Sequence, residues 1–119
     1  NGTKIRPIDV TAKLLFPKWK LKKGEEDFTI MKIVIEGIEN GATKKYQYHL
    51  LDHYDKTSET ISMARTTGYT CNATANLLLD GGFSEPGVHP PELVGAGGGN
   101  LAYILKYLKE RGVNYSLEG

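Results

Sequence analysis

Between Phe28 and Tyr54 the chain alternates apolar and polar residues in a way that predicts two β-strands. Asn40 and Gly41 divide the two halves, and an Asn-Gly pair is the strongest short signal for a two-residue hairpin loop. The pattern therefore predicts one long antiparallel hairpin.

The hairpin loop also fixes which residues of the two strands face each other. With Asn40 and Gly41 in the loop, one face carries the pairs Ile35–Tyr46, Ile33–Tyr48 and Met31–Leu50. We expect helices to pack on this apolar face. The other face is polar near the loop and apolar around Ile30, Val34 and Leu51, and we expect this second apolar surface to pair two copies into a homodimer.

Three helices are predicted around the hairpin. Pro7 opens the first, which should stop before Pro17. The second should begin after Thr66 or Thr67 and run to Asp80, where Gly81 and Gly82 stop it, with Cys71, Ala75 and Leu78 on its buried face. Asn100 should cap the third, whose apolar stripe is Leu101, Ile104, Leu105 and Leu108.

These elements predict an α+β fold: a single two-layer domain over residues 1–119, with a mostly antiparallel sheet built around the central long hairpin and helices on one face. The irregular segment from Phe83 to Asn100 is long for so small a domain. Such segments are usually functional or packed against a neighbour.

Composition narrows the possible classes of protein. The 119 residues are 39% hydrophobic and 24% charged, and the formal net charge is +1, so nothing indicates a nucleic-acid partner. No apolar run is long enough to cross a membrane, and the lone Cys71 has no disulfide partner, so we expect a cytoplasmic protein with Cys71 buried in a helix.

The sharpest chemical feature is the run Arg65-Thr66-Thr67-Gly68-Tyr69 at the predicted start of the second helix. A cation, two hydroxyls and free backbone N–H groups at a helix N-terminus suit an anion such as a carboxylate. The alternative is an ordinary N-cap with Arg65 in a surface ion pair. The strand end "LLDHYD", which contains His53 and Tyr54, is a second-rank neighbour or simply a polar strand end.

Two other chemistries are not supported by the pattern. The glycine cluster from Gly95 to Gly99 lacks the third glycine of a dinucleotide-binding motif, and no predicted strand precedes it. The histidines His49, His53 and His89 do not share metal-ligand spacing, so no metal site is expected.

The segments "SMARTTGYT" and "GVHPPE", separated by an alanine-containing helix and a Gly-Gly stop, resemble the C-terminal domain of the saccharopine dehydrogenase family, including its lysine 6-dehydrogenase-like and carboxynorspermidine dehydrogenase-like members. The resemblance implies a domain of a longer oxidoreductase, whose N-terminal Rossmann domain, absent from this chain, binds NAD or NADP. It implies a small-molecule amino-acid substrate and dimer contacts in this domain, and no catalytic acid or base can be assigned.

On this interpretation Arg65, Thr66, Thr67 and Tyr69, with His53 and Tyr54 nearby, bind and orient the substrate, and the isolated domain is inactive. Two other classes remain open: a non-catalytic assembly module and an amino-acid-sensing regulatory domain. The sequence leaves the amino acid, the choice of NAD or NADP and the direction of reaction undetermined.

Overall fold

The computed structural model describes residues 4–118. Four helices and three strands follow one another along the chain: α1 Pro7–Trp19, β1 Phe28–Glu39, β2 Ala42–His53, α2 Ser62–Leu79, α3 Pro91–Ala96, α4 Asn100–Lys109 and β3 Tyr115–Glu118. The sheet is antiparallel throughout, in the order β1-β2-β3. The predicted α+β class is confirmed, although β2 alone is the central strand and β1 is an edge strand.

The predicted hairpin register is confirmed. Ile35 pairs with Tyr46, Ile33 with Tyr48 and Met31 with Leu50. Asn40 and Gly41 both have positive φ, +52° and +79°, which is the backbone geometry that a type I′ two-residue hairpin loop requires. The turn chemistry and the apolar pattern agree, so they set the register together.

The helices cover only part of one face of the sheet. Leu50 packs with Leu108 of α4 and with Val113, and Tyr69, Ile104 and Tyr115 surround this small core. Beyond it, Ile33, Ile35 and Tyr48 of the hairpin and Leu105 of α4 line an apolar groove of about 330 Å³. The helices therefore pack on the predicted face of the sheet, but they leave part of that face uncovered.

Three predicted helix features are wrong. α1 continues through Pro17 to Trp19, because a proline in the last turn removes only one backbone hydrogen bond. α2 begins at Ser62, more than one turn before the expected start after Thr66 or Thr67. Asn100 is the first residue of α4, and its side chain donates hydrogen bonds to the carbonyl oxygens of Gly82 and Val94, both at 2.9 Å, without capping the helix.

The buried face of α2 also differs from the prediction. Ala73 and Leu77 are buried against the domain, whereas Cys71, Ala75 and Leu78 are exposed. The apolar residues of α2 continue around the helix, so periodicity alone did not identify the packed side. In residues 4–118, no helix is long and apolar enough to cross a membrane.

Candidate functional site

The start of α2 is held by Asp27, the residue that directly precedes β1. The Asp27 carboxylate accepts hydrogen bonds from the backbone N–H groups of Ser62 at 2.6 Å and Met63 at 3.0 Å. Ile61, the N-cap residue, provides no side-chain cap of its own. The anion that the helix N-terminus attracts is thus a carboxylate of the same chain.

A buried polar cluster joins α2 to the end of β2. The Ser62 hydroxyl lies 2.7 Å from Asp52 Oδ2 and 2.9 Å from the Thr29 hydroxyl, so it can donate to the carboxylate and accept from the threonine. Ser62 and Asp52 are both buried, and Thr29 pairs with Asp52 across the hairpin. Each polar atom of the cluster has a partner, as burial requires.

Arg65 completes this cluster. Its Nε lies 3.3 Å from Asp52 Oδ2, its Nη1 lies 3.1 Å from Asp55 Oδ2, and its Nη2 donates to the Arg111 carbonyl oxygen at 3.0 Å. Only 8% of the residue is exposed. Burial acts to lower the pKa of Arg65, but hydrogen bonding and attraction to Asp52 outweigh it, and the pKa rises above its ordinary value.

The two aspartates differ in their surroundings. Asp52 is buried, whereas Asp55 lies in the loop after β2 and also accepts hydrogen bonds from the Ser58 hydroxyl at 2.8 Å and the Thr57 N–H at 2.9 Å. These two bonds, with a smaller contribution from the Arg65 charge, hold the pKa of Asp55 below its ordinary value. Arg65 is therefore paired with two carboxylates, one buried and one in a loop.

Gly112 allows the chain after α4 to approach Arg65. Its φ of +79° turns the backbone directly after Arg111, and a Cβ at this position would lie only 3.3 Å from Arg65 Nη2. The turn thereby brings the Arg111 carbonyl oxygen to the guanidinium. A side chain at residue 112 would strain both the backbone and this contact.

The predicted site residues fall into two concavities. His53, Tyr54 and Arg65 line an open concavity of about 460 Å³ at the end of β2, together with Asp52, Asp55, Arg111 and Gly112. Thr66 and Thr67 line a different, mostly apolar one of about 550 Å³ with Met31, Cys71, His89 and Val94. The structure thus brings three of the six predicted residues together and places two elsewhere.

Tyr69 and Thr66 are engaged within the fold. Tyr69 packs against the core, with the Arg65 guanidinium carbon 5.7 Å from the centre of its ring. The Thr66 hydroxyl donates to the Ser62 carbonyl oxygen at 3.0 Å. Because α2 starts at Ser62, neither threonine lies at a helix N-terminus, and the geometric premise for placing an anion there is wrong.

Arg111 is the cation that the sequence analysis missed. Its guanidinium carbon lies 3.4 Å from the centre of the Tyr107 ring, its Nη1 donates to the Tyr107 carbonyl oxygen at 2.9 Å, and Glu110 Oε2 lies 3.9 Å away. About 36% of the side chain is exposed. Stacking on tyrosine fixes the guanidinium plane. Within residues 4–118 the Nε and Nη2 groups of Arg111 make no hydrogen bond to the protein, so they are available to a planar anion. No local motif marks Arg111, because only the tertiary fold brings it beside β2.

The described residues contain no fold element for a dinucleotide. All three strands are antiparallel, and the glycines from Gly97 to Gly99 lie between two helices with no strand before them. A nicotinamide cofactor therefore does not fit residues 4–118 in the way that a Rossmann βαβ unit binds it. Within the same residues, no group of three or more His, Cys, Asp or Glu side chains is placed to hold a metal ion.

A comparison with known families matches nearly the whole chain. The model of the saccharopine dehydrogenase C-terminal domain covers residues 1–113. No solved structure matches the chain at a significant level. The matched region includes the hairpin, the Arg65 cluster and all four helices. The chain therefore belongs to the saccharopine dehydrogenase C-terminal domain family.

Proposed function

We propose that this chain is the substrate-binding and dimerisation domain of an NAD(P)-dependent dehydrogenase that acts on an amino-acid substrate. Membership of the saccharopine dehydrogenase C-terminal domain family is the observation that carries the proposal. Since the antiparallel sheet does not suit a dinucleotide, the nicotinamide would be bound by another domain of the enzyme. This domain would then position the amino acid and exclude water from it.

In this proposal the substrate carboxylate binds in the concavity at the end of β2. Arg65 supplies positive charge there, but its hydrogen bonds to Asp52 and Asp55 leave it little capacity to bind a further anion. Arg111 is half-buried, oriented by Tyr107 and close to His53 and Tyr54, so it is the better direct ligand. Arg65 would act by holding the Arg111 backbone in place.

The concavity at Thr66 and Thr67 is a second contact region. Its walls are mostly apolar, with His89 and the threonines as its polar groups. Such walls with a few polar groups suit the aliphatic part of an amino acid. Thr67 is exposed and would contact this part of the substrate, whereas Thr66 would form part of the wall and Tyr69 would support Arg65 from the core.

Steady-state kinetics of the intact enzyme test this proposal. Arg111→Ala should lower kcat/KM for the amino-acid substrate by about tenfold or more, because a charge-assisted hydrogen bond contributes about 1.5–3 kcal/mol. The KM for the nicotinamide cofactor should change little. Lys109→Ala, which removes an exposed cation on the last turn of α4, is the matched control. Unchanged amino-acid kinetics would contradict this carboxylate site.

Association is the second part of the proposal. Ile30, Val34 and Leu51 are exposed on the sheet face opposite the helices, which agrees with a surface that a second copy covers. Light scattering of the intact enzyme should give the mass of a dimer or a higher even oligomer. A monomer at high micromolar concentration would contradict it, and would favour a domain without a role in assembly.

A further inference from the structure

Within residues 4–118, no strand pairs with the outer edge of β1. β1 is 12 residues long and pairs only with β2 among the described strands. Ile30 and Ile38 on this strand are 70% and 81% exposed. Long, apolar edge strands tend to pair with another strand, and natural proteins usually protect them with charged side chains, bulges, prolines or a covering element. Two of the charges within β1, Lys32 and Glu36, have opposite signs, so they can also pair with a second copy of the strand. β1 pairs with β2 without interruption and contains no proline.

The ladder shows which backbone groups point outward. The carbonyl oxygen of Asp27 accepts from the N–H of Tyr54 at 2.9 Å, and the residues next to the two-residue loop, Glu39 and Ala42, form a hydrogen-bonded pair in hairpins of this type. Odd-numbered residues of β1 therefore bond to β2. Because hydrogen-bonding direction alternates along a strand, the N–H and C=O groups of even-numbered residues face the open edge.

The sequence of this edge is complementary to itself. If two copies of β1 pair antiparallel about a twofold axis at Val34, Lys32 of one copy faces Glu36 of the other, and Ile30 faces Ile38. Shifting either strand by two residues places the lysine or the glutamate opposite an apolar residue. The register centred on Val34 is thus the one that places opposite charges together and apolar residues together. In this register the new hydrogen bonds form between the outward-facing N–H and C=O groups of the even-numbered residues.

The same register covers exposed residues on the helix side of the sheet. Ile33 of one copy would face Ile35 of the other, and both are exposed although they line the apolar groove beside α4. Odd-numbered residues would form the non-hydrogen-bonded pairs of the new ladder, in which side chains approach most closely. Met31 would face Gly37, whose Cβ position has open space around it.

We propose that two copies of this domain join through β1 in the register centred on Val34, forming one continuous six-stranded antiparallel sheet. The proposal rests on the dimerisation proposed above but moves its contact from the sheet face to the edge of β1. It differs from packing through the Ile30, Val34 and Leu51 face, because the two copies would meet edge to edge. The exposed Ile30, Val34 and Leu51 side chains of both copies would then lie on one face of the shared sheet.

Disulfide trapping in the intact enzyme tests the register. Val34→Cys should give a covalent dimer under mild oxidation, because the two Val34 Cα atoms would lie about 5.5 Å apart, within the range that a disulfide spans. Ile30→Cys alone should not cross-link, because the two copies of residue 30 would lie far apart on opposite sides of the twofold axis. A mixture of Ile30→Cys and Ile38→Cys should cross-link, because these two positions would face each other. The parent enzyme without added cysteines is the background control.

Charge reversal provides a second measurement. In Lys32→Glu, the new glutamate of each copy would face Glu36 of the other copy, so the dimer would contain two repulsive pairs. The dissociation constant of the dimer should therefore rise about tenfold. Lys13→Glu, an exposed change on α1, should leave it unchanged. A dimer that neither cross-links through Val34→Cys nor weakens with Lys32→Glu would overturn this register and leave dimerisation itself standing. A monomeric parent enzyme would overturn both.

Discussion

The Asp27 carboxylate accepts a hydrogen bond from the backbone N–H of Ser62 at 2.6 Å, across 35 positions of sequence. A residue that precedes β1 therefore caps α2 in place of a local N-cap side chain. This contact, with the Ser62 and Arg65 bonds to Asp52, ties α2 to both strands of the hairpin. The position of α2 over the sheet thus depends on a small number of polar contacts around Ser62.

Removing the cap should destabilise the domain. We expect Asp27→Ala to lower the free energy of unfolding by about 1–2 kcal/mol, because two backbone N–H groups at the start of α2 lose their acceptor. Urea denaturation monitored by circular dichroism measures this value. Asp9→Ala in α1, where no residue is buried, is the control and should change it by far less. Equal effects of the two substitutions would mean that the Asp27 contact contributes little.

Arg65→Ala should primarily affect folding. It would leave the buried Asp52 carboxylate without its ion-pair partner, which costs about 3–5 kcal/mol in other proteins. Arg65→Lys should recover only part of this loss, since one ammonium group cannot reproduce the bonds to Asp52, Asp55 and the Arg111 carbonyl oxygen. The free energies of unfolding of both variants check the prediction, with Arg6→Ala on the exposed surface as the control. Wild-type stability of Arg65→Ala would show that the ion pairs contribute nothing net.

The Asp55 contacts predict an acid-sensitive contribution to stability. Because the folded-state pKa of Asp55 is lowered from its ordinary value of 3.8, the contribution is complete above that value and is lost as pH falls through the folded-state pKa. The difference in Tm between wild type and Asp55→Asn should therefore be greatest near neutral pH and shrink below about pH 4. Glu85→Gln, at an exposed loop position, serves as the control. A difference that is constant across this pH range would contradict the assignment.

Substitution of Asn100 should destabilise the domain more than its place at the start of a helix suggests. Its buried side chain donates to the carbonyl oxygens of Gly82 and Val94 and so joins three segments of the chain. Asn100→Ala would leave both acceptors without this donor and should lower the free energy of unfolding by about 1–3 kcal/mol. Asn72→Ala, on the exposed side of α2, should have a much smaller effect. Thermal denaturation of the two variants provides the comparison.

The hairpin was predictable because its determinants are local. The Asn40-Gly41 loop and the alternation of the two strands specify the same register, and the structure has that register at every pair from Phe28–His53 to Glu39–Ala42. The fold class followed from this hairpin and the helical periodicity of the C-terminal half. Both conclusions depend on residues close together in sequence.

The start of α2 and the candidate site were not predictable in the same way. The helix begins at Ser62 because Asp27 caps it, and nothing near Ser62 in the sequence indicates so distant an acceptor. Arg65 was expected to face an external anion, but the anions it contacts are Asp52 and Asp55. Arg111 joins the concavity through the turn at Gly112, which brings together elements far apart in the chain.

The substrate contact proposed for Arg111 is tested most directly by removing the charge of the substrate carboxylate and the charge of Arg111, separately and together. In the intact enzyme, kcat/KM is measured for the amino-acid substrate and for its carboxamide analogue, with wild type and with Arg111→Ala. If Arg111 binds the carboxylate, wild type should favour the acid over the amide by about tenfold or more, and Arg111→Ala should lose most of that preference. An acid-to-amide preference that is equal in the two proteins would contradict the account.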